Sequence, residues 1–447
     1  DLPALGFLGL GPKYDNRGDP EVMNDEWEDR IDVVTRGLLG LTVACARCHD
    51  HKYDPITTAD YYALAGVFAS TRMANFPLDE SRKTKKNGDT EKPEDAMHIV
   101  REGKPRDLKV LIRGDVRREG DLAPRRFLSA FSPTDPPILF TQGSGRLELA
   151  RAIVDPKGPL AARVIVNRIW AAWFDRGIVA TPSNFGVLGE KPSHPELLDD
   201  LAVRFVENGW SLRWLHREIA LSATYRQSSI ASEAALLVDP ANVLLSRAPR
   251  KRLEVEAWRD ATLFASGALD LRMGGPSFDL SKSEERRRTL YGEVSRFELE
   301  RLLVLFDFPD ANVHASRRVH TTTPLQKLFS LNGPLLERAA KGLAERLRAD
   351  VPEEPSSSDV ARVSVERSGE PGGRDGASVD NGNVADSESM IVRRVRRAWE
   401  VVYARQPDAE ELAMAIDFLS DVERAGGDPW TRLAHALLAS NEAYFVD

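Results

Sequence analysis

Cys45 and Cys48 are the only two cysteines in a chain of 447 residues, and His49 follows them directly. Two thiols three positions apart cannot staple distant segments together, so no disulfide scaffold is available. A chain of this length must instead hold together by burying apolar side chains, in two or three domain-sized cores. Hydrophobic residues make up 42% and charged residues 29%, an ordinary balance for a globular protein. The net charge of −8 lacks the basic surplus of a general nucleic-acid binder, so no nucleic-acid partner is expected. No run of about 18 apolar residues occurs, so no membrane span is expected either. The opening "DLPALGFLGLGPKY" has neither an initiator Met nor a basic-then-apolar leader. It reads as a fragment or processed form beginning inside a domain, with a signal peptide expected in the missing N-terminal part.

Apolar residues recur at helical spacing along much of the chain. In "NDEWEDRIDVVTRGLLGL", Trp27, Ile31, Val34, Leu38 and Leu41 mark one helix, with Asn24 or Asp25 as its cap. It leads directly into Cys45. Beyond the motif, Thr57 and Asp60 stand three apart at the start of "TTADYYALAGVF", a capping-box pattern. The cysteines are therefore expected at a helix–loop–helix junction. The text from Pro77 to Pro105 turns polar and reads as a linker, whereas "DLKVLIRGDVRREGDLAP" alternates and breaks at Gly114 and Gly120, as a β-hairpin does. "RRTLYGEVSRFELERLLVLFDFPD" starts like a strand and ends helical, and the C-terminus carries helices at 390–405, 408–424 and 429–441. Residues 350–389 are rich in Ser, Gly, Pro and acid and read as a disordered loop. The expected class is mainly α, with helical domains and small β-hairpin elements. The expected division is 1–78, a polar linker at 79–105, a hairpin-bearing connector at 106–145 and a helical domain at 146–447.

Cys45-Ala46-Arg47-Cys48-His49 matches C-x-x-C-H, the attachment pattern of c-type haem. The spacing has a chemical reason. Two thiols add across two vinyl groups on one porphyrin edge, and the next residue brings an imidazole to the iron. Cys45, Cys48 and His49 are thus the candidate haem site, with Met73 the candidate sixth ligand. His51, Lys52 and Asp54 are candidates for the surroundings, either near a propionate or holding a ring N–H. Three other readings compete. Zinc bound by Cys45, Cys48, His49 and His51 has suitable donors but tight spacing. A redox dithiol would sit in a βαβ setting that the chain lacks. Buried, inert cysteines are the third. Elsewhere "NVHASRRVHTTTP" clusters Arg317, Arg318 and Thr322, which together suit a carboxylate, sulfate or phosphate. The competing reading pairs these arginines with nearby carboxylates such as Asp307 and Asp310.

Long stretches of the chain resemble one family. "GLLGLTVACARCHDHKYDPITTADYYALAGVFAS" is similar to the end of the first conserved domain of planctomycete-type cytochrome c proteins. The text from "GRLELARAIVDPKGPLAARVIVNRIWAAWF" to "ALSATYRQSS" resembles their second domain, of unknown function, as do "LFDFPDANVHASRRVHTTTPLQKLFSLNGP" and "ASNEAYFVD". The resemblance implies covalent haem c at Cys45, Cys48 and His49, in an extracytoplasmic protein of the periplasm or cell surface. The C-x-x-C-H motif between two helices makes the expected role electron transfer to a redox partner protein, with a helical domain that docks a partner or substrate such as a surface polysaccharide. Two alternatives stay open. One is an extracytoplasmic enzyme acting on acidic or sulfated glycans through an Arg/Thr-lined pocket. The other is a binding protein with a structural zinc site.

Overall fold

The computed structural model describes residues 2–11, 18–77, 96–282, 284–352 and 389–446. The disordered loop expected at 350–389 falls almost wholly outside these residues, as does the first part of the expected polar linker. The class is mainly α, with small two-stranded antiparallel sheets. By contacts the chain forms two compact units, Asp1–Pro249 with Asn312–Arg317, and Arg250–Ala311 with Arg318–Val446.

In the first unit, α1 (Pro20–Val34) begins earlier than the periodicity predicts. Asp19, and not Asn24 or Asp25, is the N-cap: its side chain accepts from the Glu21 N–H at 2.9 Å. Pro20 at the first helical position needs no hydrogen-bond acceptor and favours this start. The helix continues into a wider turn over Thr35–Leu39 and stops at Gly40, at φ 63°. A Cβ at Gly40 would stand 2.8 Å from the Phe185 ring, so glycine alone suits both the backbone and the packing. A 3₁₀ turn, Val43–Arg47, carries the first cysteine, and α2 (Thr58–Ala69) opens on the expected Thr57/Asp60 capping box. Trp27, Ile31 and Val34 of α1 meet Tyr61, Leu64 and Phe68 of α2 in one core.

β1 (Thr71–Pro77) pairs antiparallel with β2 (Ala96–Glu102), from Thr71 opposite Glu102 to Pro77 opposite Ala96. The end of the expected linker is therefore a strand. Ile99 and Val100 are fully buried there, and the polar text on either side hid this short apolar pair. The expected hairpin exists as β3 (Leu108–Leu111) and β4 (Glu119–Ala123). The unit continues through α3 (Arg146–Ile153), α4 (Ala161–Phe174), α5 (Pro195–Glu207), α6 (Leu212–Leu221) and α7 (Glu233–Val238). Val166, Trp170 and Phe174 of α4 pack with Leu201 and Phe205 of α5 and Leu215 and Ile219 of α6. These helices group with the N-terminal segment despite the sequence boundary at 146. The reason is contact: Arg168 of α4 donates to the Arg36 carbonyl at 3.0 Å, and Val164 lies against Gly40.

The second unit is built on α8 (Val255–Ala265), α9 (Arg301–Leu305), α10 (Pro324–Asn332), α11 (Pro334–Asp350), α12 (Met390–Tyr403), α13 (Ala409–Arg424) and α14 (Pro429–Leu438). Trp258, Phe306 and Tyr444 form a three-ring cluster, with the Trp258 centroid 5.0 Å from Phe306 and 5.1 Å from Tyr444. A short pair, β5 (Lys251–Arg252) with β6 (Phe445–Val446), ties the end of the chain to α8. The strand expected near Tyr291 is a 3₁₀ turn, Thr289–Tyr291, flanked by an isolated bridge from Phe278 to Gly292.

Candidate functional site

Cys45, Cys48 and His49 share one turn between α1 and α2, and all three are exposed. Both thiols are free, so the reading of buried, inert cysteines does not hold. The turn is pinned from below. Arg47 reaches back to Asp25 of α1 at 2.8 Å and also pairs with Glu28, while its carbonyl accepts from the Tyr62 hydroxyl at 3.2 Å. Burial works against the Arg47 charge, but the two carboxylates outweigh it and raise its pKa. The Tyr62 phenol is pushed up to about 12, chiefly by burial, and stays a neutral donor. Cys48 Sγ lies against the hairpin tip, where a Cβ on Gly114 would come within 2.8 Å of it. Gly114 adopts φ 75°, so backbone conformation and contact both call for glycine. The same hairpin turn carries exposed Ile112, and the motif loop carries exposed Tyr53.

His49 Nδ1 sits 2.7 Å from the Asp50 carbonyl oxygen. A carbonyl only accepts, so Nδ1 bears the proton and the Nε2 lone pair is left outward. That is the tautomer an imidazole adopts as an axial ligand, with its second nitrogen held by a carbonyl. Two free, accessible thiols and an unengaged Nε2 on one turn fit the donor set of covalent haem.

The second half of the motif has a different role. His51 Nδ1 accepts the Asp54 N–H at 2.9 Å, and its Nε2 lies 3.0 Å from Thr42 Oγ1. Both ring nitrogens are thus engaged within the loop. Asp54 is buried, and its Oδ1 accepts the Val187 N–H at 2.7 Å, fastening the motif to the loop after α4. A Cβ on Gly186 would come within 2.4 Å of that carboxylate. Asp50 caps the entry to α2, accepting from the Thr58 N–H at 2.8 Å. Lys52 is exposed, with Nζ 5.2 Å from the Tyr53 ring centre. His51 and Asp54 therefore shape the loop, and neither reaches the His49 ring N–H, which the Asp50 carbonyl holds.

The zinc set does not assemble. His51 has no nitrogen to spare, and among the described residues no three His, Cys, Asp or Glu side chains converge as a metal-holding group. Met73 lies in β1, opposite Val100. It follows the C-terminal end of α2, whereas the cysteine turn is pinned to Tyr62 in the helix's second turn. From Tyr62 to its end at Ala69, α2 rises about 10 Å at about 1.5 Å per residue.

The arginine–threonine cluster divides between the two units. Arg318 forms a bidentate pair with Glu256 at 2.6 and 2.7 Å, reaches Glu254 at 2.9 Å and stacks on Phe308 at 4.6 Å. It is paired as the competing reading expected, but to Glu254 and Glu256 and not to Asp307 or Asp310. Thr322 is exposed, while its neighbours Thr321 and Thr323 bond Asp307 and cap α10. Arg317 alone faces an opening. It lines a cavity of about 780 Å³ in the first unit together with Arg36, Arg176, Ser183 and Thr42. Sequence reasoning missed Arg36, Arg176 and Ser183. No local pattern marks them, because they come from the end of α1 and the loop after α4.

The PSD1 family model, described as a protein of unknown function (DUF1553), matches residues 145–419, and the PSCyt2 model, also a protein of unknown function (DUF1549), matches residues 1–73. No curated protein and no solved structure matches the chain. PSCyt2 and PSD1 are the domain pair of planctomycete cytochrome c-like proteins. With its PSD1 match spanning more than half its length, the chain belongs to that family of unknown function.

Proposed function

We propose that the chain is an extracytoplasmic c-type cytochrome module that passes electrons to a partner protein. One observation carries this reading: two free, exposed thiols and an imidazole with an outward Nε2 occupy a single clamped turn. Cys45 and Cys48 would hold the haem by adding across its vinyl groups, each thiol hydrogen passing to the other vinyl carbon as the C–S bond formed, so no oxidant would be needed. Haem held this way supplies a one-electron iron centre. The protein's part is positional. Arg47, gripped by Asp25 and Glu28, sets the cysteine spacing, and the Asp50 carbonyl sets the His49 tautomer. No helix among the described residues is long and apolar enough to cross a membrane, and partner docking falls to exposed surface.

Expression with the cytochrome c maturation machinery tests the proposal through the pyridine haemochrome spectrum. One covalent haem per chain is expected, lost in Cys45→Ala/Cys48→Ala and spectrally altered but retained in His49→Ala. Absence of covalent haem, or its retention in the double variant, would refute the reading.

A second reading, an enzyme acting on acidic or sulfated glycans, loses Arg318 and Thr322 but keeps Arg317. The observation favouring it is the cavity that Arg317 lines with Arg36 and Arg176. A surface polysaccharide is the partner class this reading requires.

A further inference from the structure

Among the described residues Arg168 is a cation without an ion-pair partner. It projects from α4, and its Nη2 donates to Ser183 Oγ and to the Arg36 carbonyl, both at 3.0 Å. Its Nε is shielded from solvent and has no hydrogen-bond partner. Burial lowers its pKa, and no nearby carboxylate opposes that effect. Burying a guanidinium without an anion is costly, because water is removed and nothing replaces its charge stabilisation.

The surroundings add to the imbalance. Ser183 is buried and lies 2.9 Å from His314 Nε2. Arg168 can only donate, so Ser183 Oγ accepts from it while also bonding the imidazole. The His314 pKa is lowered by burial, with Asp32 opposing and Arg36 and Arg168 adding to the effect. Ser183 is also a wall of the cavity of about 780 Å³, which Arg36, Arg176 and Arg317 line. Arg36 is paired with Asp32 at 2.6 Å. Arg176 and Arg317 make no ion pair or hydrogen bond among the described residues. Two carboxylates, Asp175 and Glu190, face the same space. With Arg36 neutralised by Asp32, Arg176 and Arg317 face the two carboxylates across the cavity, and Arg168 stands one hydrogen bond behind the wall with no ion-pair partner among the described residues.

We propose that this cavity binds an oxyanion, a carboxylate or a sulfate or phosphate ester, gripped by Arg176 and Arg317. Arg168, behind the Ser183 hydroxyl, adds to the positive field. Guanidinium forks match the planar and tetrahedral oxygens of such groups. The proposal deepens the glycan reading and rests on it only for the use of this cavity, since the site takes the anion whatever carries it.

Isothermal titration of the full chain at fixed ionic strength tests it, with inorganic sulfate, glucose 6-sulfate, glucuronate and neutral glucose as probes. At least one anionic probe is expected to bind about tenfold or more tighter than glucose. Arg176→Ala and Arg317→Ala, both at exposed positions, are each expected to weaken that probe about tenfold. Arg117→Ala, at an exposed position outside the cavity, is expected to leave binding unchanged. Equal affinity for glucose and the anions, no binding of any probe, or indifference to both cavity variants would overturn the site. If inorganic sulfate binds as tightly as glucose 6-sulfate and glucuronate, the site stands and the glycan reading falls. If a sugar anion binds tighter, both stand. The haem spectrum of the same preparation reports separately on the cytochrome reading.

Discussion

Replacing Asp60 by Asn would loosen the helix that carries the cysteine turn. Asp60 is fully buried at the first turn of α2. Its carboxylate accepts from the Thr57 N–H and hydroxyl, both at 2.9 Å, and from the Ser129 N–H and hydroxyl at 2.9 and 2.7 Å. It also pairs with Arg126, whose side chain is 13% exposed. Asn keeps the volume but loses the charge, and its amide group would face donors. Hydrogen bonds to a charged group contribute about 1.5–3 kcal/mol each, though not additively. Breaking one side of a buried ion pair costs about 3–5 kcal/mol, which sets the expected loss. Because amide hydrogen exchange reads opening residue by residue, exchange over 58–69 is the suitable assay. Exchange there should accelerate by about two to four powers of ten. The acid limb gives a second readout. Burial would raise the Asp60 pKa, but the bonds from Thr57, Ser129 and Arg126 outweigh it and hold it below the usual value. Its contribution is therefore complete above the unfolded pKa of about 3.9 and is lost as pH falls through the folded value. The Asn variant, lacking that loss, should show a shallower acid limb. An acceleration of under about tenfold between parent and variant would refute the reasoning.

Two further perturbations separate roles that the sequence places side by side. His51→Ala removes a ring bonded at both nitrogens and should destabilise the motif loop by about 1–2 kcal/mol. His49→Ala, at an exposed ring, should leave stability within about 0.5 kcal/mol. Denaturant unfolding of the two variants checks the contrast, and equal losses would contradict it. In the second unit, hydrogen bonds from Arg405 lower the Glu411 pKa to about 2. Its contribution is complete above the usual glutamate value of about 4.3 and fades as pH falls toward 2. The pair is partly exposed, so Glu411→Gln should cost under about 1 kcal/mol at pH 7 and nothing below pH 2.

Much of the local structure was legible because its causes are local. Thr57 and Asp60 satisfy each other's backbone across three residues, Gly114 turns a hairpin between alternating segments, and the terminal helices follow their apolar spacing. Such signals lie within a few residues and survive being read in one dimension. The adjacency of Cys45, Cys48 and His49 is likewise a property of the chain. Strand β2 was hidden because its reason is a partner, β1, lying across the 78–95 stretch. Neighbouring residues also parted in ways that spacing does not encode. His51 turned inward to Thr42 while His49 stayed outward, and Arg318 joined Glu256 while Arg317 stayed at the cavity. Ser183 meets His314 across 131 residues and Arg168 across 15. Order along the chain settles which groups are bonded in sequence and how a helix starts. Which charges are neutralised, and which are left facing a cavity, depends on long-range packing that brings distant side chains within a few ångströms, where desolvation and Coulomb forces act.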